Sequence, residues 1–503
     1  MLDDRIRCAA LRGKITSAAE AAQLVHNGMR VGASGFTRAG DAKAVPLEIA
    51  RRAREESDPL RITLMTGASL GSDTDRILTE AGALERRLPF QVDATLRRAI
   101  NRGEVMFIDQ HLSETGELLR DNRLGPLDLA IIEAVAITET GGIVPSTSVG
   151  NSATFAMLAK KVIVEINLAQ PMGLEGLHDV WSPAPRPERA PLALMRVEDR
   201  VGTSCIEIAP EKIAAIIVTN QPDSPSTVLP ADEDTALIAG HLVEFFQHEV
   251  SRGRLPKRLP PLQAGIGTIA NAVLSGFAAS PFEALTLYSE VLQDSTFDLF
   301  DAGKLAFASG ASITLSAKRQ EQVLSDIDRY RERLVLRPQE VSNHGDVIRR
   351  LGLIAINTAI EADIYGNVNS THVGGTHMMN GIGGSGDFVA RNASYAVFAT
   401  KSIAKDGRIS SIVPMVPHCD HNEHDVDVIV TERGLANLTG LAPRERALAV
   451  IEHCAHPLYR DLLRDYYRDA ASLGGHTPHR LDAAFALHTR FAQTGSMLPD
   501  GSH

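Results

Sequence analysis

Met29-Arg-Val-Gly-Ala-Ser-Gly-Phe36 reads as a short strand opening into a glycine-rich loop. Ahead of it, Ser17-Ala-Ala-Glu20 has capping-box spacing, residues 18 to 26 carry apolar side chains at helical intervals, and Gly28 suits a helix stop. The same grammar recurs downstream. Residues 61 to 65 form a strand ending in Thr66-Gly-Ala-Ser69, and residues 127 to 137 form a buried strand followed by a turn at Glu139-Thr-Gly-Gly142. Residues 162 to 166 and 213 to 218 are further β-branched runs. Strands alternating with helical stretches predict parallel βαβ units and an α/β fold.

Residues 219 to 234 (TNQPDSPSTVLPADED) are rich in Pro, Ser and Asp and lack apolar periodicity. They mark the expected boundary between an N-terminal α/β domain, 1–222, and a C-terminal one, 223–503. Beyond the boundary the strand pattern resumes at 264–277, 285–291, 305–309, 354–360 and 426–430, and from about Pro443 the chain reads as mostly helical. Two similar open α/β domains with a mostly helical C-terminal segment is the expected architecture. In such sheets ligands collect outside the strand C-termini.

Bulk properties narrow the functional classes. The 503 residues are 44% hydrophobic and 22% charged, with 40 glycines and one Trp, as in a soluble globular protein. Against 51 basic residues stand 62 acidic ones, a net charge of −11 that gives no footprint for nucleic acid or an anionic membrane. No apolar run approaches the ~18 residues of a membrane span. Cys8, Cys205, Cys419 and Cys454 are far apart and form no CxxC, and with no signal-like N-terminus they read as reduced thiols of a cytoplasmic protein.

Four segments carry chemistry. Gly265-Ile-Gly267-Thr-Ile-Ala270 follows a short apolar run and leads into a helix; such glycines let an acyl or phosphate group approach backbone amides. A ligand-free strand-to-helix turn and a dinucleotide fingerprint both remain open there, the second with Glu290 as its acidic partner. Leu285-Thr-Leu-Tyr-Ser-Glu290 is an apolar strand ending in a carboxylate; an ordinary exposed strand-end Glu is the simpler reading of this segment alone, and its position relative to the glycine loop raises that of a partly desolvated, functional acid. Gly381-Ile-Gly-Gly-Ser-Gly-Asp-Phe388 suits a nest of amides aimed at an oxyanion, its apolar neighbours arguing against a solvated linker. His418-Cys-Asp-His421-Asn-Glu-His424 resembles a metal cluster, but its spacing fits no closed zinc site, so a polar loop and no metal are expected.

Together with Glu361-Ala-Asp-Ile-Tyr-Gly-Asn-Val-Asn-Ser370 and Thr431-Glu-Arg-Gly-Leu-Ala436, these segments resemble the acetyl-CoA hydrolase/transferase family, a branch of the class I CoA-transferases, from Arg5 through Met497. The resemblance implies two domains of the NagB/RpiA/CoA-transferase type and a homodimer. It implies transfer of CoA between short-chain carboxylates, with succinyl-CoA and acetate as the expected pair and acetyl-CoA hydrolysis as the alternative. Glu290 matches the catalytic glutamate that becomes a covalent CoA thioester. Gly265, Ile266, Gly267, Thr268, Ile269, Ile360, Asn380, Gly384 and Lys405 match CoA contacts, and the amides of Ile266 and Gly384 the oxyanion hole. Asn343, Glu432 and Ser69 match the small-carboxylate site. CoA is then substrate and intermediate, acyl-CoA and small carboxylates are the partners, and no tightly bound cofactor is implied. Val218 and Val92 stand where relatives carry Arg and Thr.

Overall fold

The computed structural model describes residues 2–71, 73–227 and 229–499. The chain forms two compact units. The first comprises Met1–Thr227, Thr286–Phe297 and Ala306–Leu351; the second comprises Val228–Leu285, Asp298–Leu305 and Gly352–His503. This grouping differs from a contiguous division at 222/223, because two later stretches, carrying Glu290 and Asn343, belong with the first unit. Backbone pairing explains their place. Ala311 N and Ser312 N donate to Glu290 O at 2.6 and 3.1 Å, Ile313 N donates to Thr147 O, and Val149 N to Ala311 O, both at 2.9 Å.

In the first unit the strands are β1 (Arg30–Ala33), β2 (Ile62–Met65), β3 (Leu84–Leu88), β4 (Met106–Phe107), β5 (Leu129–Ile137), β6 (Ile143–Pro145), β7 (Lys161–Asn167) and β8 (Ile213–Thr219). They lie in the order β4-β3-β2-β1-β5-β7-β8, all parallel, with β6 antiparallel against β5. All nine residues of β5 are buried, so its sequence is a continuous apolar run around Glu133 rather than an alternation. Strand order reverses at β1, which places the loop after it at a topological switch point.

Two helices of this unit are started in different ways, one by its own sequence and one by a distant carboxylate. The capping box at Ser17 and Glu20 is present and opens α1 (Ala18–Ala22), but the helix ends four residues short of the expected 26. α2 (Val45–Glu55) has Pro46 near its start, and its first amides are held by the Glu165 carboxylate, which accepts from Lys43 N, Ala44 N and Val45 N. Lys43 itself is buried and sends its ammonium to Glu133 at 2.5 Å and Asp223 at 2.8 Å. Asp223, part of the expected linker, is therefore a core residue; a buried charge needs its counter-charges.

The second unit opens with α3 (Glu233–Ser251). Its strands β9 (Leu262–Ala264), β10 (Ile354–Thr358), β11 (Tyr395–Ala399), β12 (Val428–Thr431) and β13 (Gly434–Asn437) follow one another across the sheet in that order. All pair in parallel except β12 with β13. Between β9 and β10 in the chain lies α4 (Thr268–Gly276), and Phe246 of α3, Phe277 and Tyr395 build an aromatic cluster over the sheet. The C-terminal portion is helical as expected: α6 (Pro443–Cys454), α7 (Pro457–Ser472) and α8 (Ala486–Thr494) follow α5 (Ser385–Val389). Both units thus run from a parallel strand through a glycine-bearing loop into a helix. Among the described residues no helix is long and apolar enough to cross a membrane.

Candidate active site

Every residue of the strand Leu285–Tyr288 is buried, and the chain then breaks at Ser289 and Glu290 before resuming as Val291–Leu292. The break is held rigidly. Ser289 N donates to Ser309 O at 2.9 Å, the Glu290 carbonyl accepts the two amides of Ala311 and Ser312, and Val291–Leu292 pairs in parallel with Ser312–Ile313. Glu290 is left 9% exposed, with its backbone carbonyl held by two amides.

Its carboxylate Oε1 accepts a hydrogen bond from Asn343 Nδ2 at 2.6 Å. The orientation of that amide follows from its other neighbour. Ser342 Oγ donates to Asn343 Oδ1 at 2.9 Å, which leaves Nδ2 to face the acid. Asn343 N in turn donates to Gln339 O at 2.9 Å, closing the short helix Gln339–Ser342, and Tyr288 Oη donates to the Val341 carbonyl, tying that helix to the strand preceding Glu290. On the other flank, Val291 shares a buried apolar cluster with Phe36, Ala68, Leu112 and Ala311. Ser69, next to Ala68, is buried, and its carbonyl accepts Arg38 N at 3.1 Å. Glu290, Asn343 and the neighbourhood of Ser69 thus come together in the first unit.

The expected CoA contacts lie in the second unit. Gly265 follows β9 and donates its amide to Ile356 O at 2.9 Å. Ile266 is 38% exposed, unusual for so large an apolar side chain. Gly267 has φ 117° and ψ 178°, a conformation essentially restricted to glycine, and it heads α4, so Thr268 and Ile269 form that helix's first turn. Ile360 N donates to Asn369 O at 2.9 Å, while Asn369 Nδ2 is held by Glu361 at 2.8 Å. Asn380 Nδ2 donates to the carbonyls of Ser370 and Gly381, at 3.2 and 2.9 Å. Gly384 immediately precedes α5. Lys405 is exposed in a tight turn at φ 48°, its ammonium 5.0 Å from the Phe491 ring centre.

Glu432 also belongs to the second unit, at the β12–β13 turn. It accepts Ser402 N at 2.8 Å, the Ser402 hydroxyl, and Arg433 Nε at 3.0 Å. Burial pushes its pKa up, but the Ser402 bonds, its own backbone amide and the Arg433 charge together hold it below the ordinary carboxylate value. Of the three residues expected to shape the carboxylate site, Asn343 and Ser69 therefore fall in one unit and Glu432 in the other. Residues 418–424 form a loop in which His418 Nε2 lies 3.1 Å from Asp420, and among the described residues no group of three or more His, Cys, Asp or Glu is arranged to hold a metal ion. Sequence reasoning missed Ser342 and Tyr288, which support the acid; a serine beside an asparagine and a tyrosine in an apolar strand carry no signal of that role.

A buried, backbone-anchored carboxylate and glycine-bearing turns at strand ends define an open α/β enzyme suited to acyl chemistry. Residues 1–218 match the acetyl-CoA hydrolase/transferase N-terminal domain model, and residues 320–467 match the corresponding C-terminal domain model. The chain is 48% identical over 496 residues to succinyl-CoA:acetate CoA-transferase of Clostridium kluyveri, covering 98% of this chain and 92% of that protein. It is 46% identical to acetyl-CoA hydrolase of Schizosaccharomyces pombe, covering 99% of each. The structure of RipA from Yersinia pestis superposes with a TM-score of 0.71 at 21% identity, covering 92% of this chain and 98% of that one, a likeness of fold. The chain belongs to the acetyl-CoA hydrolase/transferase family, which contains both CoA-transferases and hydrolases.

Proposed function

We propose that this protein transfers CoA between short-chain carboxylates, from succinyl-CoA to acetate, through a thioester on Glu290. The observation that carries the reading is the Glu290 carboxylate, nearly buried, fixed through its own carbonyl and oriented by Asn343 at 2.6 Å. A carboxylate so desolvated and so aimed is a better nucleophile than one in water. The succinyl-CoA:acetate CoA-transferase of Clostridium kluyveri, 48% identical, supports the choice of donor and acceptor.

The chemistry balances without redox change or net proton transfer. A Glu290 oxygen attacks the succinyl carbonyl, the C–S bond breaks, and CoA leaves as thiolate, giving a succinyl-glutamyl anhydride. The thiolate attacks the glutamyl carbonyl, the anhydride C–O bond breaks, and succinate leaves with the electron pair. Acetate then attacks the glutamyl-CoA thioester, and the released thiolate takes the acetyl group from the second anhydride, restoring Glu290. Each tetrahedral intermediate carries an oxyanion, for which the Ile266 and Gly384 amides are the donors proposed here from the family resemblance, such a donor contributing ~3–4 kcal/mol in comparable sites. Thioester energy is conserved throughout, so the cycle calls for neither ATP nor a metal ion. Water must be excluded while the anhydride and thioester exist.

The test is intact mass after incubation with succinyl-CoA. A CoA adduct should map to the Glu290 peptide, disappear on adding acetate, and yield labelled acetyl-CoA from labelled acetate; Glu290→Ala should form no adduct. Turnover surviving in that variant would remove Glu290 as the nucleophile. A hydrolase is the second reading, favoured by the 46% identity to the Schizosaccharomyces pombe acetyl-CoA hydrolase. It predicts release of free thiol with no acceptor present and no incorporation of labelled acetate.

A further inference from the structure

The segment His418-Cys-Asp-His421 has no role in the reaction above, but it grips the glycine-rich stretch 370–385 at both ends. At the near end Asp420 accepts Ser370 N at 2.6 Å and Thr371 Oγ1 at 2.9 Å, as well as lying 3.1 Å from His418 Nε2. At the far end His421 Nε2 lies 3.0 Å from Ser385 Oγ. The Ser385 hydroxyl thus bridges the Ile382 carbonyl, 3.0 Å away, and the His421 ring. His421 is itself buried. Its ring lies against Phe398 of β11, centroids 4.7 Å apart, and its backbone pairs with Val368 in both directions, at 2.8 and 3.1 Å.

Enclosed by the Ile382–Ser385 bond are Gly383, at φ 65°, and Gly384. Two adjacent glycines have more accessible backbone conformations than any other pair, so their own sequence cannot hold an amide in one direction. An oxyanion donor helps only when it is already aimed before charge develops. The direction must come from outside the pair, and the histidine is the rigid body on which the bridging hydroxyl rests.

We propose that His421, acting through Ser385, is a positioning residue for the Gly384 amide. The inference rests on the glutamyl-thioester reading, in which that amide is an oxyanion donor, and it gives the histidine loop a function in that reaction. Because the amide meets full negative charge only in the tetrahedral intermediates, the effect falls on the rate of acyl transfer and not on CoA affinity.

Four full-length variants test it: Ser385→Ala, Ser385→Thr, His421→Phe, which keeps a ring against Phe398 but loses the ring nitrogen, and the double variant Ser385→Ala/His421→Phe. The readouts are the rate of glutamyl-CoA formation by quenched intact mass, the KM for succinyl-CoA, and Tm. Ser385→Ala and His421→Phe should slow adduct formation by about 10- to 100-fold, less than the ~10²–10³ that follows outright loss of an oxyanion donor. KM should move less than about twofold, Ser385→Thr should restore most of the rate, and the double variant should be no slower than the worse single one. Wild-type rates in Ser385→Ala and His421→Phe would overturn the proposal, as would a loss that tracks Tm and KM with no rescue by threonine. If the unaltered protein formed no adduct, the glutamyl-thioester reading would fall and this inference with it.

Discussion

Replacing Asn343 by Ala removes a side-chain donor that lies 2.6 Å from the Glu290 carboxylate, and its effect can be worked through. A hydrogen bond to a charged group contributes about 1.5–3 kcal/mol, and where the acceptor is nearly buried, water is a poor substitute. At about 1.4 kcal/mol per tenfold, full expression in the transition state would cost roughly 10- to 150-fold. An opposing effect exists, since the same bond stabilises the ground-state carboxylate and tempers its nucleophilicity. Orientation should win. The Glu290 backbone is already pinned by Ala311 and Ser312, so the substitution frees only side-chain rotation, and a near-attack geometry is lost. The rate of adduct formation from succinyl-CoA should fall about 10- to 100-fold with little change in Tm. Asn343→Asp sharpens the test. Two carboxyl groups at that separation cannot readily both ionise, so the pair keeps a proton to higher pH and the adduct rate should climb with pH more steeply than in the parent. An Asn343→Ala protein reacting within twofold of the parent, or an Asn343→Asp protein with a flat pH profile, would refute the orienting role.

Two further outcomes follow from local conformation and burial. Gly267→Ala meets no atom within 4 Å, so its cost is backbone strain alone, about 1–3 kcal/mol; the KM for CoA substrates should rise, and an unchanged KM and Tm would show that the φ of 117° is dispensable. Burial pushes His178 down to about 4, against the pull of its bond to Ser146 O at 2.9 Å. With the folded value below the unfolded one, the unfolded chain binds the extra proton, so stability present above pH 6.5 is lost as pH falls towards 4, by about 2 kcal/mol between pH 6.5 and 4.5. Urea unfolding of His178→Gln should lose less over that interval; an identical pH slope would count against the assignment.

Much of this architecture was legible residue by residue. The continuous apolar run of β5, the capping box at Ser17 and Glu20, the strand-to-helix glycine turn at 265–267 and the polar loop at 418–424 each depend on neighbours a few positions away, and each is found in the structure. Failures came where partners are distant. α1 stops at Ala22, and Asp223, which reads as linker, is buried against Lys43 180 positions away. Glu290 lies beyond the expected boundary, and the backbone at 290–292 pairs with residues 311–313, which in turn pair with Thr147 and Val149.

The candidate groups were legible in the chain itself: an acid at a strand end and two runs of glycine stand out because turn chemistry and strand periodicity act over a handful of residues, while their roles came from the family resemblance. Tertiary structure decided the rest. It determined which unit holds the acid, that Asn343 rather than a nearer residue orients it, and that a histidine loop reaches Ser385 from 36 positions away. Such pairs are selected by where separate strands come to lie once the cores pack, and no short-range periodicity records that.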